Sequence, residues 1–220
     1  MPDPLPPIGR GKDIFFTRRR LPHWEVENGA YFVTISLHGA IPTALAIQLR
    51  DMSQALRKLK PEEVRNVRRR IFVLLERQLH TGEGVRHLGI PAVADVVTEA
   101  IHHRVRNGIW IPLEWCVMPN HLHLFIRMSE GTRPGEMDRT VSEFKRWTAH
   151  QAEKVMPEKV ERFWQREWFD HWSRSEEEDR RTIAYIRDNP VKAGLVEDYR
   201  RWPYGGWNDP PKEGAFSRST

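Results

Sequence analysis

Apolar and polar residues alternate most regularly in Tyr31-Phe32-Val33-Thr34-Ile35-Ser36-Leu37. Tyr31, Val33, Ile35 and Leu37 fall on one side, Thr34 and Ser36 on the other. A period of two predicts a half-buried strand. The period then lengthens. Leu45, Leu49, Met52, Leu56 and Leu59 follow at intervals of four and three, the stripe of an amphipathic helix. Pro61 suits the first turn of a second helix, with Val64, Val67, Ile71 and Leu75 as its apolar stripe. A third helix is expected from about Ala92 to Val105. Two strands come next, about Ile109–Val117 and His121–Arg127, joined by a turn at Met118-Pro119-Asn120. A helix from about Glu136 to Val155 turns Met137, Val141, Phe144 and Val155 inward, and a further strand is expected around Glu167–Trp172. The last helix starts at Ser175, which can form a capping box with Glu178. It is expected to stop near Asn189, because Pro190 disfavours helical geometry at the residue before it.

Strand, helices, strand, strand, helix, strand, helix is the ferredoxin-like βαββαβ order. The expected fold class is α+β: an antiparallel sheet with helices on one face and an open face for a ligand, extra helices in the first crossover, and a helix appended at the C-terminal end. Residues 1–20, rich in proline, glycine and charge, are expected to form a flexible arm, and residues 208–220 a flexible tail. Between them, 21–207 reads as one domain without linker or repeat, a size that allows a real core.

Charge refines this picture modestly. Lys and Arg number 35 against 30 Asp and Glu, a formal net charge of +5. The basic residues cluster, at Arg18-Arg19-Arg20, Arg68-Arg69-Arg70, Lys145-Arg146, Arg180-Arg181 and Arg200-Arg201. Such clusters suit a polyanion, although a solvated surface explains any single one. A single cysteine, Cys116, rules out an internal disulfide and a thiolate metal cluster. No apolar run approaches a membrane span and no signal-peptide core opens the chain, so a cytoplasmic protein is expected.

Candidate chemistry lies in Met118-Pro119-Asn120-His121-Leu122-His123-Leu124. On a strand His121 and His123 project to the same face, and Leu122 and Leu124 to the other. Two neutral imidazoles on one strand face can ligate a single divalent cation. On the last helix Tyr185 and Asn189, four residues apart, share a face, while Ile183 and Ile186 lie elsewhere and can pack on the sheet. The Asn189 amide oxygen is a reasonable third ligand. Tyr185 would then sit one turn from the ion, a candidate nucleophile toward a phosphodiester. A phenol of pKa about 10 holds little phenolate at neutral pH, and a cation could compensate by polarising and positioning the phosphate. No general base is evident. Each piece has a structural alternative: a polar strand face, a packing tyrosine, a helix stop.

Two segments join the pieces. Val117-Met118-Pro119-Asn120-His121-Leu122-His123-Leu124 resembles the His-hydrophobe-His signature of single-tyrosine HUH transposases. Tyr185-Ile186-Arg187-Asp188-Asn189-Pro190-Val191-Lys192-Ala193-Gly194-Leu195-Val196 resembles the tyrosine-bearing helix of the REP-associated tyrosine transposases. Further matches are Leu21-Pro22-His23-Trp24, Tyr31-Phe32-Val33-Thr34, Phe144-Lys145-Arg146-Trp147-Thr148-Ala149 and Phe163-Trp164-Gln165-Arg166-Glu167-Trp168-Phe169-Asp170-His171. The likeness runs in order over about residues 21–205.

The resemblance implies a bacterial, metal-dependent enzyme that cleaves and rejoins single-stranded DNA near hairpins of the repetitive extragenic palindrome (REP) type. It implies Mg²⁺ or Mn²⁺ held by His121, His123 and Asn189, with two imidazoles favouring Mn²⁺ on ligand softness. It implies Tyr185 as the nucleophile, giving a 5′-phosphotyrosine and a free 3′-hydroxyl. Related enzymes exist as dimers exchanging tyrosine helices and as monomers, and a monomer is expected here. One departure stands out: where the family tends to carry Trp-Pro-x-Ser-Ser, this chain has Trp202-Pro203-Tyr204-Gly205-Gly206.

For DNA contacts, Lys145, Arg146 and Arg181 are candidate phosphate ligands, each adding roughly 0.7 to the log–log salt slope on single strands. Trp164, Trp168 and Trp172 recur every four residues and could stack on bases, although core packing is the plainer role for most tryptophans. Two other functions remain open at this point: a hairpin-binding protein of the same fold without turnover, and a metal-dependent phosphodiesterase using activated water.

Overall fold

The protein is described here by a computed structural model, over residues 14–18, 22–26, 29–56, 59–129 and 135–208. Strands β1 (Ile14–Arg18) and β2 (Pro22–Val26) pair as a hairpin, with Phe16 opposite Trp24. Residues 14–18 of the expected N-terminal arm are therefore strand. The expected tail, from residue 209 onward, lies outside the described residues.

The main sheet has four antiparallel strands: β3 (Ala30–Ser36), β4 (Trp110–Met118), β5 (His121–Met128) and β6 (Phe169–Ser173), in the order β4-β5-β3-β6. Taken in chain order these strands stand 4-1-3-2 from the β6 edge, which is the ferredoxin-like arrangement expected from sequence. Between β3 and β4 run α1 (Thr43–Ala55), α2 (Pro61–His80) and α3 (Pro91–Arg106); α4 (Glu136–Val155) follows β5 and α5 (Glu176–Lys192) follows β6. The helix expected over Glu136–Val155 has those bounds, while the last strand begins two residues later than expected, at Phe169.

The alternation of β3 and β5 divides the molecule. Tyr31, Val33, Ile35, Leu37, Leu122, Leu124 and Ile126 are all buried in one core with Val97 and Ile101 of α3 and Val141 and Phe144 of α4. Fully burying a side chain of this kind contributes roughly 1.5–3 kcal/mol relative to leaving it exposed. Two threonines of α4 satisfy buried indoles in this layer: Trp110 Nε1 donates to Thr140 Oγ1 at 3.2 Å and Trp164 Nε1 to Thr148 Oγ1 at 2.8 Å.

The opposite face is not open. Ala30, Phe32, Cys116, Met118 and Phe125 form a second, smaller cluster there with Ile186 of α5, and Phe72 of α2 packs at its edge. Phe32 meets Phe72 and Tyr185 edge-on at 5.7 and 5.9 Å between ring centroids. The expectation of helices on one face thus holds for α3 and α4, while α2 and α5 cover the other. The apolar stripe of α2 continues from Ile71 and Leu75 to Leu79, so the neighbouring stripe, Phe72, Glu76 and His80, falls toward the site.

α5 starts as expected but ends later. Ser175 Oγ accepts the Glu178 N–H at 3.2 Å. The reciprocal half of the capping box is displaced by one residue: Glu178 Oε2 accepts the N–H of Arg174. The helix runs past Asn189 to Lys192, with Pro190 inside it. The turn closes beyond the proline instead, since Gly194, at φ +66°, donates to Val191 O and Leu195 to Pro190 O, both at 2.9 Å. This Schellman closure supplies donors for carbonyls of the last turn. It also keeps Asn189 on the helical face it shares with Tyr185.

Candidate metal and nucleophile site

The site sits where β5, α2 and α5 meet. His121 and His123 are fully buried on the α2/α5 face of the sheet. Each ring is fixed through its Nδ1 atom. His121 Nδ1 lies 2.6 Å from Asn120 Oδ1, and His123 Nδ1 lies 3.0 Å from Thr34 Oγ1, its cross-strand neighbour on β3. With those nitrogens donating, both Nε2 lone pairs are free, and the two Nε2 atoms face each other at 3.0 Å. Burial and the proximity of His123 and His80 push the His121 pKa well down, which favours the neutral, ligating imidazole. Asn120 is itself anchored, as its Nδ2 donates to the Leu79 carbonyl near the end of α2 at 2.9 Å.

α5 supplies the other two residues expected from sequence. Asn189 is fully buried and its Oδ1 lies 3.3 Å from His123 Nε2. Its Nδ2 donates to the Tyr185 carbonyl at 2.7 Å, which orients the amide oxygen toward the histidines. The Tyr185 ring stands 5.6 Å from the His123 ring, centroid to centroid. α5 is held against β4 by Arg187, whose Nε donates to the buried carboxylate of Glu114 at 2.6 Å. The structure therefore brings His121, His123, Asn189 and Tyr185 to one place.

Two residues of α2 complete the cluster, and sequence reasoning missed both. Glu76 Oε2 accepts a hydrogen bond from the Tyr185 hydroxyl and lies 3.5 Å from His123 Nε2, while Glu76 Oε1 is buried without a hydrogen-bond partner among the described residues. His80 places Nε2 2.9 Å from Asn189 Oδ1 and Nδ1 2.8 Å from the Glu76 carbonyl. The available signal was a Glu and a His at i and i+4, beside the stripe Ile71, Leu75, Leu79. Burial pushes the Glu76 carboxyl up, but contacts with His123, Tyr185 and His80 outweigh it and leave the pKa below its ordinary value. Burial and the adjacent Glu76 charge push the Tyr185 phenol well above its usual value.

These residues fit a divalent cation. Ligand atoms of Glu76, His121 and His123 lie within 4.8 Å of one another. Two converging imidazole lone pairs, an ionised carboxylate and a nearby amide oxygen form a mixed N/O donor set that could hold one divalent cation.

The expected DNA-contact residues stand differently. Trp164 and Trp168 are each only 4% exposed and belong to the core, so their faces are not available for base stacking. The reason is local: 164–168 precedes the strand, so the spacing of four reflects packing against α4 and the sheet. Lys145 Nζ donates to the carbonyls of Gln165 and Arg166 at 2.7 and 2.8 Å and lies over the Trp168 ring, a structural role for the lysine expected at phosphate. Arg146 is exposed on α4, and Arg181 is exposed one turn before Tyr185, paired with Glu177 at 3.0 Å. A cleft of about 330 Å³ opens beside Thr34 and Ser36, walled by Ile47 and Leu49 and edged by Arg50 and Arg166. The Gly205-Gly206 departure also has a structural reason. Gly205 bridges to Cys116, so this segment lies along the free edge of β4. A Cβ on Gly206 would meet Glu114 Oε1 at 2.6 Å, and one on Gly205 would meet the Trp207 ring at 2.2 Å. Serines do not fit there without rearrangement. Among the described residues, no helix is long and apolar enough to cross a membrane.

Comparison with known proteins agrees with the resemblance read from the two motifs. Residues 89–189 match the family described as IS200-like transposases. A provisionally named REP-associated tyrosine transposase of Haemophilus influenzae is 26% identical over 105 residues, covering 42% of this chain and 56% of that protein. The REP-associated tyrosine transposase of Escherichia coli K12 is 26% identical over 102 residues, covering 46% of this chain and 57% of that protein. The chain thus spans somewhat over half the length of the curated relatives it matches. A solved structure of a REP-associated tyrosine transposase bound to a REP hairpin superposes with a TM-score of 0.47 at 20% identity, covering 82% of this chain and 77% of that one.

Proposed function

We propose, from the likeness to IS200-like and REP-associated tyrosine transposases, that this protein is a metal-dependent enzyme that cuts and rejoins single-stranded DNA near a hairpin. The observation that carries this reading is the convergence of His121, His123, Asn189 and Tyr185 from β5 and α5 on one buried site. A bound Mg²⁺ or Mn²⁺ would polarise a non-bridging oxygen of the scissile phosphate and orient it.

The chain's own residues do the rest. His121 and His123, with Glu76 and Asn189, would hold the cation. Asn120 and Thr34 keep both imidazoles in the ligating tautomer. His80 fixes the Asn189 amide. Tyr185 leaves its hydrogen bond to Glu76 and its oxygen attacks phosphorus, the phenol proton ending on the departing 3′ oxygen. The new O–P bond joins the 5′ side of the DNA to the protein, and the bond to the 3′ oxygen breaks, releasing a 3′-hydroxyl. The phosphoester so formed keeps the energy of the broken one, so a second 3′-hydroxyl can reverse the step without a nucleoside triphosphate. Arg146 and Arg181, both exposed, would contact phosphates. Because Tyr185 meets the histidines of its own chain, a monomer contains a complete site.

The test uses labelled single-stranded hairpin DNA with Mn²⁺, resolved on a denaturing gel. A protein–DNA band that disappears in Tyr185→Phe is expected. Cleaved DNA without an adduct would identify water as the nucleophile, and binding without cleavage would identify a non-catalytic hairpin-binding protein.

A further inference from the structure

Glu76 is engaged on two sides. One carboxylate oxygen accepts the hydroxyl of Tyr185 and lies 3.5 Å from His123 Nε2, while the other is buried without a hydrogen-bond partner among the described residues. The residue is only 6% exposed, so bulk water does not satisfy that oxygen. Leaving a buried acceptor unsatisfied is costly, and most such groups in native proteins have a partner. A cation between the imidazoles would supply one. The same carboxylate would then be shared between the cation and the nucleophile.

We propose that Glu76, carried on a helix inserted in the first crossover, couples the two halves of the site: it ligates the cation and, by the same carboxylate, restrains the Tyr185 hydroxyl, so that cation binding loosens the nucleophile. This rests on the metal-dependent reading above. A phenol–carboxylate hydrogen bond draws its strength from the carboxylate charge. Electron density given to a cation is no longer available to the phenol, so coordination weakens the restraint. Linkage makes the effect mutual: whatever cation binding does to the Tyr185 bond, that bond does to cation affinity. The aromatic cage of Phe32 and Phe72 holds the ring edge-on while the hydroxyl changes partner. A resting enzyme without cation would thus keep its nucleophile tied to a residue that is not substrate.

The experiment measures Mn²⁺ affinity of the full chain without DNA, from the electron paramagnetic resonance signal of free Mn²⁺. His121→Ala should abolish specific binding. Glu76→Gln should weaken it by about tenfold or more. Tyr185→Phe, which removes only the competing hydroxyl, should tighten it by about fivefold. In parallel, the ¹³Cζ resonance of Tyr185 should move on titration with Mg²⁺ in the unmodified protein. Should Glu76→Gln fail to give a cooperative melt, Tyr185→Phe and the resonance alone decide. Unchanged affinity in Tyr185→Phe and a static resonance, with His121→Ala still inactive in binding, would overturn the coupling and leave the metal site standing. Binding that survives His121→Ala, or no binding by the unmodified protein, would overturn the metal reading and the coupling together.

Discussion

The two faces of the central sheet are both buried, but only the α2/α5 face sets buried polar groups beside its apolar cluster. Leu122 and Leu124 on one side of β5 and His121 and His123 on the other are all fully buried. On the α3/α4 side this burial is apolar throughout the two central strands. On the α2/α5 side, Thr34, Asn120, His121, His123, Asn189 and Glu76 are taken out of water together, and each is held by a hydrogen bond. Burial alone therefore does not mark a core. A dry face tolerates its neighbours as long as volume is filled, whereas a buried polar face requires each partner in place. The first face fixes the strand and the second uses that rigidity to fix the two imidazoles.

Adjacent residues of β5 give the sharpest way to separate the two. His123→Ala should cost the largest effect on function, at least about a hundredfold in cation-dependent cleavage, with hairpin binding largely kept. Leu124→Ala, one residue on, should instead destabilise the fold by about 2–5 kcal/mol, read from urea unfolding, with cleavage by the folded fraction retained. Equal losses of stability and activity in both variants would erase the distinction between the faces.

Smaller effects test how the site-bearing helix is held. Ser175→Ala should cost about 1 kcal/mol by leaving the Glu178 N–H uncapped. Nearby, the His171 hydrogen bond lowers the Glu178 pKa to about 2 from the usual 4.5. A carboxyl depressed in the folded state stabilises fully above its unfolded pKa and loses that contribution as pH falls through the folded value. The link between β6 and the start of α5 should therefore be intact above about pH 4.5 and fade toward pH 2. In His171→Ala this part of the acid dependence, followed by thermal melting, should shrink.

The sequence was legible where one element carries its own periodicity. β3 and the Glu136–Val155 helix show their buried faces directly, and the pairing of His121 with His123 and of Tyr185 with Asn189 follows from the pitch of one strand and one helix. What stayed hidden depends on placement between elements. Glu76 and His80 lie on a helix crowded with Arg65, Arg68, Arg69, Arg70 and Arg77, where an acid and a histidine look like ordinary solvated surface. Only the docking of α2 across the polar face buries Glu76 and sets His80 against Asn189. Pro190 was misleading for a related reason: the closure that lets α5 pass it lies downstream, at Gly194 and Leu195. Trp164 and Trp168 show the reverse error, since aromatic rings beside basic residues suit both DNA and a core, and here Thr148 and Lys145 occupy their polar and π surfaces.

Peptide mapping tests the central claim most directly. After reaction with a single-stranded hairpin substrate and Mn²⁺, then nuclease and protease digestion, the nucleotide should be found as a phosphoester on the peptide containing Tyr185, and nowhere on the His121→Ala protein. A nucleotide attached to another residue, or cleaved DNA with an unmodified Tyr185 peptide, would contradict the account.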